Sequence, residues 1–276
     1  MKVDSHQHFW KYSAAEYGWI SSDMEILRQD FLPKDLESRL GVAGVDGSVA
    51  VQAQQTLRET EWLLSLASAE DCILGVVGWV PLAERPMEAL EVFSGNDWLK
   101  GIRHVVQDEP NEDFILGRAF NEGVSLLRET NLVYDILIYA KQLPQSIEFV
   151  DRHPGQRFVL DHIAKPVISG GRPDEAWTQQ IQEMARREEV TCKWSGVVTE
   201  VRDGEISADR LRPWWDVVLD AFGPQRLLFG SDWPVSRLKL EYGDWVEMTG
   251  VLSGGFSESE AEAFWRGNAR KVYQLD

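Results

Sequence analysis

The chain has 276 residues, which is enough for one large α/β domain or two small ones. Its residues are 43% hydrophobic and 26% charged, a composition that can build a core, so the chain need not be disordered. The net charge of −17, with no basic patch to offset it, repels phosphate backbones and excludes nucleic acid as an expected partner.

Short apolar runs rich in β-branched residues recur along the whole chain. Most are apolar throughout rather than alternating, which is typical of parallel strands covered on both faces. In chain order the predicted strands are Lys2–Ser5, Gly47–Gln52, Ile73–Val80, Gly101–Val106, Val133–Tyr139, Arg157–Leu160, Val190–Trp194 and Arg226–Phe229.

Segments of helical period lie between these runs. The predicted helices are Glu59–Ala67, Phe114–Leu127, Trp177–Arg187, Leu211–Phe222 and a last one that opens with a capping box at Ser257–Glu260. Eight strands separated by helices, with a repeat of roughly 30 residues, predict one α/β domain, a (β/α)8 TIM barrel over residues 1–276. The rival is a doubly wound sheet, which usually carries a glycine-rich turn where this chain has His6-Gln7-His8.

Polar residues follow the predicted strands at the ends that meet at the mouth of a barrel. His6 and His8 are two residues apart, so we expect them to face the same side, where two imidazoles can bind a divalent ion or polarise a carbonyl. Asp232 follows the last apolar run and precedes Trp-Pro, and a carboxylate held there is a good general base for water. These are the candidate catalytic residues, together with His162.

The sixth run is followed by a charged segment, Asp161-His162-Ile163-Ala164-Lys165. Charged groups in this place are costly unless they face a polar pocket. His162 is the stronger candidate, whereas Asp161 and Lys165 could bind substrate or only orient their neighbours. On the fourth run Arg103 and His104 alternate, so only one of them faces the mouth, where the Arg103 guanidinium could bind a substrate oxygen.

Other residues are expected to line the pocket, and one histidine is not. His153 precedes a proline in a loop and is predicted to lie on the surface. The further pocket candidates are Gln52, Gln54, Trp79 and Trp233, with Asp135, Tyr139, Lys193 and Ser195 in second rank.

Several of these stretches resemble the amidohydrolase superfamily, in its branch of L-fuconolactonases, L-rhamnono-lactonases and pyrone-dicarboxylate lactonase. The resemblance spans essentially the full chain, and it implies a TIM barrel with His6, His8, His162 and Asp232 at its mouth. It also implies that Asp232 activates water and that the substrate is a sugar-acid lactone, such as L-fucono- or L-rhamnono-lactone. The matching stretches are Val3–Trp10, Gly101–His104, Leu160–Pro166, Gly230–Pro234 and the tail Gly267–Tyr273.

The sequence departs from superfamily members that bind two metals. Those members carry a carboxylated Lys or a Glu after the fourth strand and a His after the fifth, where this chain has Arg103-His104 and Tyr139-Ala140. The second ligand set is therefore missing. What remains is one divalent cation, zinc first, on His6, His8 and Asp232, or no metal requirement.

Alternative functions remain open. One is a metal-dependent decarboxylase of the same superfamily, and another is a non-catalytic barrel that binds a sugar acid. A TatD-like nuclease is disfavoured by the charge and by the missing ligands. The sequence does not distinguish between lactones, and it leaves self-association into a homo-oligomer open.

The compartment is expected to be the cytoplasm. No apolar run reaches the ~18 residues of a membrane span, so no membrane partner is expected. The residues after Met1-Lys2 lack the apolar stretch of a secretory signal. Cys72 and Cys192 are accordingly predicted to be buried free thiols in strands.

Overall fold

The computed structural model describes residues 2–93 and 95–275. Eight parallel strands pair in chain order, each with the next, and helices lie between them. The predicted (β/α)8 barrel is confirmed, and no predicted strand end is displaced by more than two residues. The strands are β1 Val3–Gln7, β2 Gly47–Val51, β3 Ile73–Gly78, β4 Leu99–Val105, β5 Val133–Leu137, β6 Phe158–Leu160, β7 Val190–Trp194 and β8 Leu227–Phe229.

The helices cover the outside of this sheet. Four of them were not predicted, and three of those, α1, α3 and α5, carry a proline in their first turn, where the missing N–H costs nothing. The last predicted segment is divided by a π turn at Ala263–Gly267 into α9 and α10. The helices are α1 Pro33–Ala43, α2 Leu57–Ala67, α3 Pro86–Val92, α4 Arg118–Leu127, α5 Leu143–Asp151, α6 Glu175–Met184, α7 Ala208–Phe222, α8 Tyr242–Leu252, α9 Glu258–Glu262 and α10 Asn268–Tyr273.

The barrel closes between β8 and β1 through the segments that follow the strands. His8 N donates to Trp233 O at 2.7 Å, and Asp232 N donates to His6 O at 2.8 Å. Lower down, the buried carboxylate of Asp4 accepts hydrogen bonds from Ser231 N at 2.8 Å and from His6 N at 3.1 Å. Closure therefore fixes the end of β8 against the two histidines of β1.

Tryptophans fill the space between barrel and helices. Trp194 of β7 packs edge-on against Trp215 of α7 and stacks on Trp245 of α8. Trp245 Nε1 also donates to Gly230 O at 2.9 Å, just after β8. The carboxyl ends of β7 and β8 are thus held by large, rigid side chains.

Two minor predictions were wrong. His153 is buried rather than on the surface, because its ring packs on Phe149 and its Nε2 lies 3.0 Å from Asn121 Oδ1. Cys72 precedes β3 and is only half-buried, whereas Cys192 is buried in β7 as predicted. Within residues 2–93 and 95–275, no helix is both long and apolar enough to cross a membrane.

Candidate active site at the carboxyl end of the barrel

Four of the predicted residues meet at the carboxyl end of the barrel. His6 and His8 belong to or directly follow β1, His162 follows β6, and Asp232 follows β8. Asp232 Oδ1 lies 3.8 Å from His6 Nε2, 3.3 Å from His8 Nε2 and 3.9 Å from His162 Nε2. All four residues are buried. This cluster of one carboxylate and three imidazoles is suited to proton transfer or to holding a metal ion.

The backbone around the cluster lets these groups approach one another. Asp232 has a φ of 56°, in the left-handed region that Asp tolerates better than most residues. Gly196, after β7, has a φ of 63°, and a Cβ there would lie 2.5 Å from His162 Nδ1 and 2.9 Å from Asp232 Oδ2. Only glycine leaves room for both groups at this position. Sequence reasoning missed Gly196, since a glycine after a strand is common.

The three imidazoles are uncharged at neutral pH. Burial lowers the pKa of His6 well below its usual value, although the Asp161 carboxylate opposes this. Burial also lowers the pKa of His8, and it lowers the pKa of His162 to about 4. Burial acts to raise the pKa of Asp232, but the neighbouring imidazoles, His162 first, outweigh it and hold this pKa below its usual range. Asp232 is therefore ionised among neutral rings.

A layer of buried charges lies beneath the imidazoles, inside the barrel. Lys193 Nζ lies 2.5 Å from Asp135 Oδ2, 2.9 Å from Asp161 Oδ1 and 3.1 Å from His6 Nδ1. Arg103 Nη1 donates to Asp161 Oδ2 at 3.0 Å and lies 3.3 Å from His6 Nε2. Two cations and two carboxylates thus lie beneath His6.

The two carboxylates of this layer differ in pKa. Burial acts to raise the pKa of Asp161, but Lys193 and His6 outweigh it and hold the pKa well below its usual value. Burial raises the pKa of Asp135 to about 6, although Lys193 opposes the rise. Tyr273 of α10 donates to Asp135 Oδ2 at 2.6 Å. Lys193 and Asp135 were only second-rank candidates in the sequence, and Tyr273 was missed.

Three residues predicted to bind substrate lie away from the cluster. His104 points out of the barrel, with its Nε2 2.7 Å from Glu109 Oε1 and its ring stacked on Phe114. Trp79 Nε1 donates to His104 Nδ1 at 3.3 Å on the same outer side. Trp233 is fully buried in aromatic packing. Because neighbouring strand residues point to opposite sides, the inward position on β4 belongs to Arg103.

A cavity of about 800 Å³ opens above the cluster. His6, Asp161 and Asp232 lie behind the residues that form its wall. The predicted residues that line it are His8, Gln52, Gln54, Arg103, His162 and Lys165. Residues that line it without having been predicted include Glu16, Trp19, Gln55, Gln107, Asp108 and Glu109, from the connections after β1, β2 and β4. The sequence did not reveal them because the path of a long connection is not fixed by its residue types.

The upper cluster fits a divalent cation. Ligand atoms of a tetrahedral zinc site with bonds of about 2.0–2.1 Å are separated by about 3.3 Å, and His6 Nε2 lies 3.2 Å from His8 Nε2, which lies 3.3 Å from Asp232 Oδ1. His8 Nδ1 lies 2.7 Å from Val51 O and so donates to it, which leaves a lone pair on His8 Nε2 facing the Asp232 carboxylate. Two acceptors that face each other at this distance are stabilised by a cation between them. The ligand atoms of His6, His8 and Asp232 all lie within 4.8 Å of one another.

Comparison with known proteins places this geometry in context. The amidohydrolase family model matches residues 3–275. The chain is 39% identical to an L-fucono-1,5-lactonase of Burkholderia multivorans, over all of this chain and 96% of the relative, and 35% identical, with the same coverage, to one of Burkholderia ambifaria. A crystal structure of a Burkholderia multivorans amidohydrolase with bound zinc superposes with a TM-score of 0.95, at 37% identity and full coverage of both chains. The predicted resemblance to the lactonase branch is confirmed.

Proposed function

This chain belongs to the amidohydrolase family, and we propose that it hydrolyses the ring ester of a small sugar-acid lactone, with L-fucono-1,5-lactone as the first substrate to test. The two curated relatives named L-fucono-1,5-lactonase support the substrate class. The observation that carries the reaction is the Asp232 carboxylate, which lies 3.3 to 3.9 Å from three neutral imidazoles directly behind the cavity wall.

Asp232 is the proposed general base. It takes a proton from water as the water oxygen attacks the ring carbonyl carbon, and a tetrahedral intermediate forms. When the bond to the ring oxygen breaks, protonated Asp232 returns the proton to that oxygen, which leaves as a hydroxyl group, and the product is an open hydroxy acid. Because its pKa lies below the usual range, protonated Asp232 is a strong acid for this second transfer. Each transfer of this type contributes roughly 10²–10⁴ in rate.

Lys165 and His162 are the proposed donors to the carbonyl oxygen. Among the described residues the Lys165 ammonium makes no hydrogen bond or ion pair, and its Nζ lies 5.7 Å from the centre of the Tyr139 ring. It lines the cavity beside His162. Arg103, by contrast, is held by Asp161 and by the Gln52 carbonyl. A free cation in a partly dry cavity stabilises the developing oxyanion.

The cavity wall is suited to a polyhydroxylated, uncharged ring. Gln52 and Gln54 offer both donors and acceptors to hydroxyl groups. Trp19, which is 40% exposed, offers a flat apolar surface to the face of a sugar ring. Asp108 on the same wall repels a carboxylated substrate and favours departure of the anionic product, whereas Glu16 is paired with Arg58.

A divalent cation, zinc first, would be held by His6, His8 and Asp232. When bound, it supplies Lewis-acid polarisation of the carbonyl or a more acidic water. Asp161 would then accept from His6 Nδ1, which lies 3.3 Å from its Oδ1. Asp232 as the base and Lys165 as a donor to the carbonyl oxygen can act without the ion, so we propose that bound metal is not obligatory.

The test is a panel of aldonolactones assayed by acid release with a pH indicator. The panel contains L-fucono-, L-rhamnono- and D-galactono-lactones and one dicarboxylated pyrone lactone, each run with and without chelator and against heat-inactivated protein to subtract spontaneous opening. We expect turnover of a neutral aldonolactone and none of the dicarboxylate. Failure to open any aldonolactone, with and without added zinc, overturns the proposal. Loss of activity in chelator that zinc restores would make the ion obligatory.

A further inference from the structure

The segment after β6 forms a left-handed turn. His162, Ile163, Ala164 and Lys165 have φ values of 53°, 49°, 60° and 46°. L-amino acids visit this region as single residues, because the Cβ crowds the following carbonyl oxygen, and a β-branched residue such as Ile163 is disfavoured most. Four such residues in succession persist only where surrounding contacts impose the conformation.

This turn presents two site residues together. Lys165 N donates to His162 O at 2.8 Å and closes the turn. His162 and Lys165 line the cavity, whereas Ile163 and Ala164 are fully buried behind them. The conformation of the turn therefore sets where the imidazole lies relative to the ammonium.

A tryptophan of the next helix contacts the turn from behind. Trp177 of α6 is buried, and its Nε1 donates to Ile163 O at 3.0 Å. The backbone N–H of Trp177 donates to the side chain of Asp174, the N-cap of α6, at 3.0 Å. Trp177 does not line the cavity, so it can act on the site only through the turn.

We propose that Trp177 is a positioning residue, whose indole N–H holds the left-handed turn and thereby sets the relative positions of His162 and Lys165. The consequence for catalysis rests on the function proposed above. The stabilisation of the turn by Trp177 is independent of that function, because it concerns the backbone alone.

The test combines Trp177→Phe, which keeps an aromatic ring but removes the donor, with Ala164→Gly, which lets one residue adopt a positive φ without a Cβ. Hydrogen exchange of the Lys165 amide reports whether the turn is closed. We expect roughly three- to tenfold faster exchange in Trp177→Phe, the range of one hydrogen bond, and a return toward the wild-type rate in the double variant. We expect kcat for the lactone to fall and recover in parallel, with a smaller change in KM.

Trp214→Phe is the matched control. Trp214 is fully buried on α7, and its Nε1 has no hydrogen-bond partner among the described residues, so exchange at Lys165 and kcat should both stay unchanged. Asp174→Ala is a second variant for the case in which Trp177→Phe does not fold. Asp174 is exposed, and its loss frees the backbone of Trp177, so exchange should rise in the same direction but less.

The outcomes separate the proposals. If neither Trp177→Phe nor Asp174→Ala changes the exchange rate of the Lys165 amide, the proposed role of Trp177 is overturned. This holds whether or not the protein opens lactones. Faster exchange with unchanged kcat overturns the link between the turn and catalysis. A wild-type protein that opens no aldonolactone overturns the proposed function, and the exchange rates still decide whether Trp177 holds the turn.

Discussion

Asp232→Asn is the substitution that tests the proposed base most directly. The amide keeps the size of the carboxylate, and Asn tolerates the left-handed φ of 56° at this position at least as well as Asp. Asn Nδ2 would face the lone pair of His8 Nε2, which lies 3.3 Å from the present Oδ1, and could donate to it. The fold should therefore survive, and only the ability to accept a proton is lost.

The expected loss follows from that single change. Removal of a general base costs roughly 10²–10⁴ in rate, equivalent to about 2.7–5.5 kcal/mol of transition-state stabilisation. KM should change little, because Asp232 is not among the residues that line the cavity and bind the ring, and its proposed contact is with the attacking water. Binding of the ring is left to the wall residues.

The assay measures kcat and KM by acid release for the best lactone of the panel, with thermal unfolding of each variant. Asp244→Asn serves as the control, because Asp244 is an exposed acid on α8 and the substitution is the same. Wild-type unfolding temperature with kcat reduced at least a hundredfold is the expected result. An Asp232→Asn variant that keeps the wild-type kcat would remove Asp232 as the base.

Four further predictions concern other residues of the barrel. Because burial lowers the pKa of His162 to about 4, from 6.5 in the unfolded chain, the unfolded chain binds more protons between these values. Stability should therefore rise with pH across that window by up to about 3 kcal/mol, and His162→Gln should flatten the rise in urea titrations. Lys193→Met leaves Asp135 without a cation and removes one of the two cations beside Asp161, so it should lower the free energy of unfolding by about 3–5 kcal/mol, measured by chemical denaturation. Gly196→Ala places a Cβ 2.5 Å from His162 Nδ1 and should lower kcat by about 10²-fold. His104→Asn should leave kcat unchanged, since this side chain points out of the barrel; a large loss would show that His104 reaches the substrate.

The fold could be predicted because parallel strands buried on both faces read as uninterrupted apolar runs. Their spacing then leaves room for one helix each. Helices were harder, since proline is usually a breaker. Pro33 and Pro86 open helices, a position where the ring fits and the missing N–H is not needed. When the ends of the helices are not known, the sequence does not distinguish a proline that opens a helix from one that breaks it.

The four central site residues could be predicted because strand ends meet at one rim. Which side chain of β4 points into the barrel could not be predicted. Alternation shows that Arg103 and His104 point to opposite sides, but not which of them is inside. The structure answers this through a partner: Arg103 is inside because Asp161, after β6, compensates its charge there. Trp233 likewise follows a site residue in sequence but turns into the aromatic core.

The buried charged residues could be recognised in the sequence, but their partners could not be identified from it. Asp135 stands alone among the apolar residues of β5, and Lys193 stands alone in β7. A lone charge in a buried strand requires a partner, but these two strands are not neighbours in the sheet, so pairing rules did not connect them. Tyr273 comes from the last helix, 138 residues after Asp135.

His6 joins the two layers of the site, and this explains why the lower layer is needed. Its Nε2 faces His8 and Asp232, whereas its Nδ1 faces Lys193 at 3.1 Å and Asp161 at 3.3 Å. The cations of the lower layer are matched by its own carboxylates, so they do not neutralise Asp232, which stays free to accept a proton. Groups that no substrate reaches thus fix the imidazole from below, and changes to them should act on kcat, whereas changes to the cavity wall should act on KM.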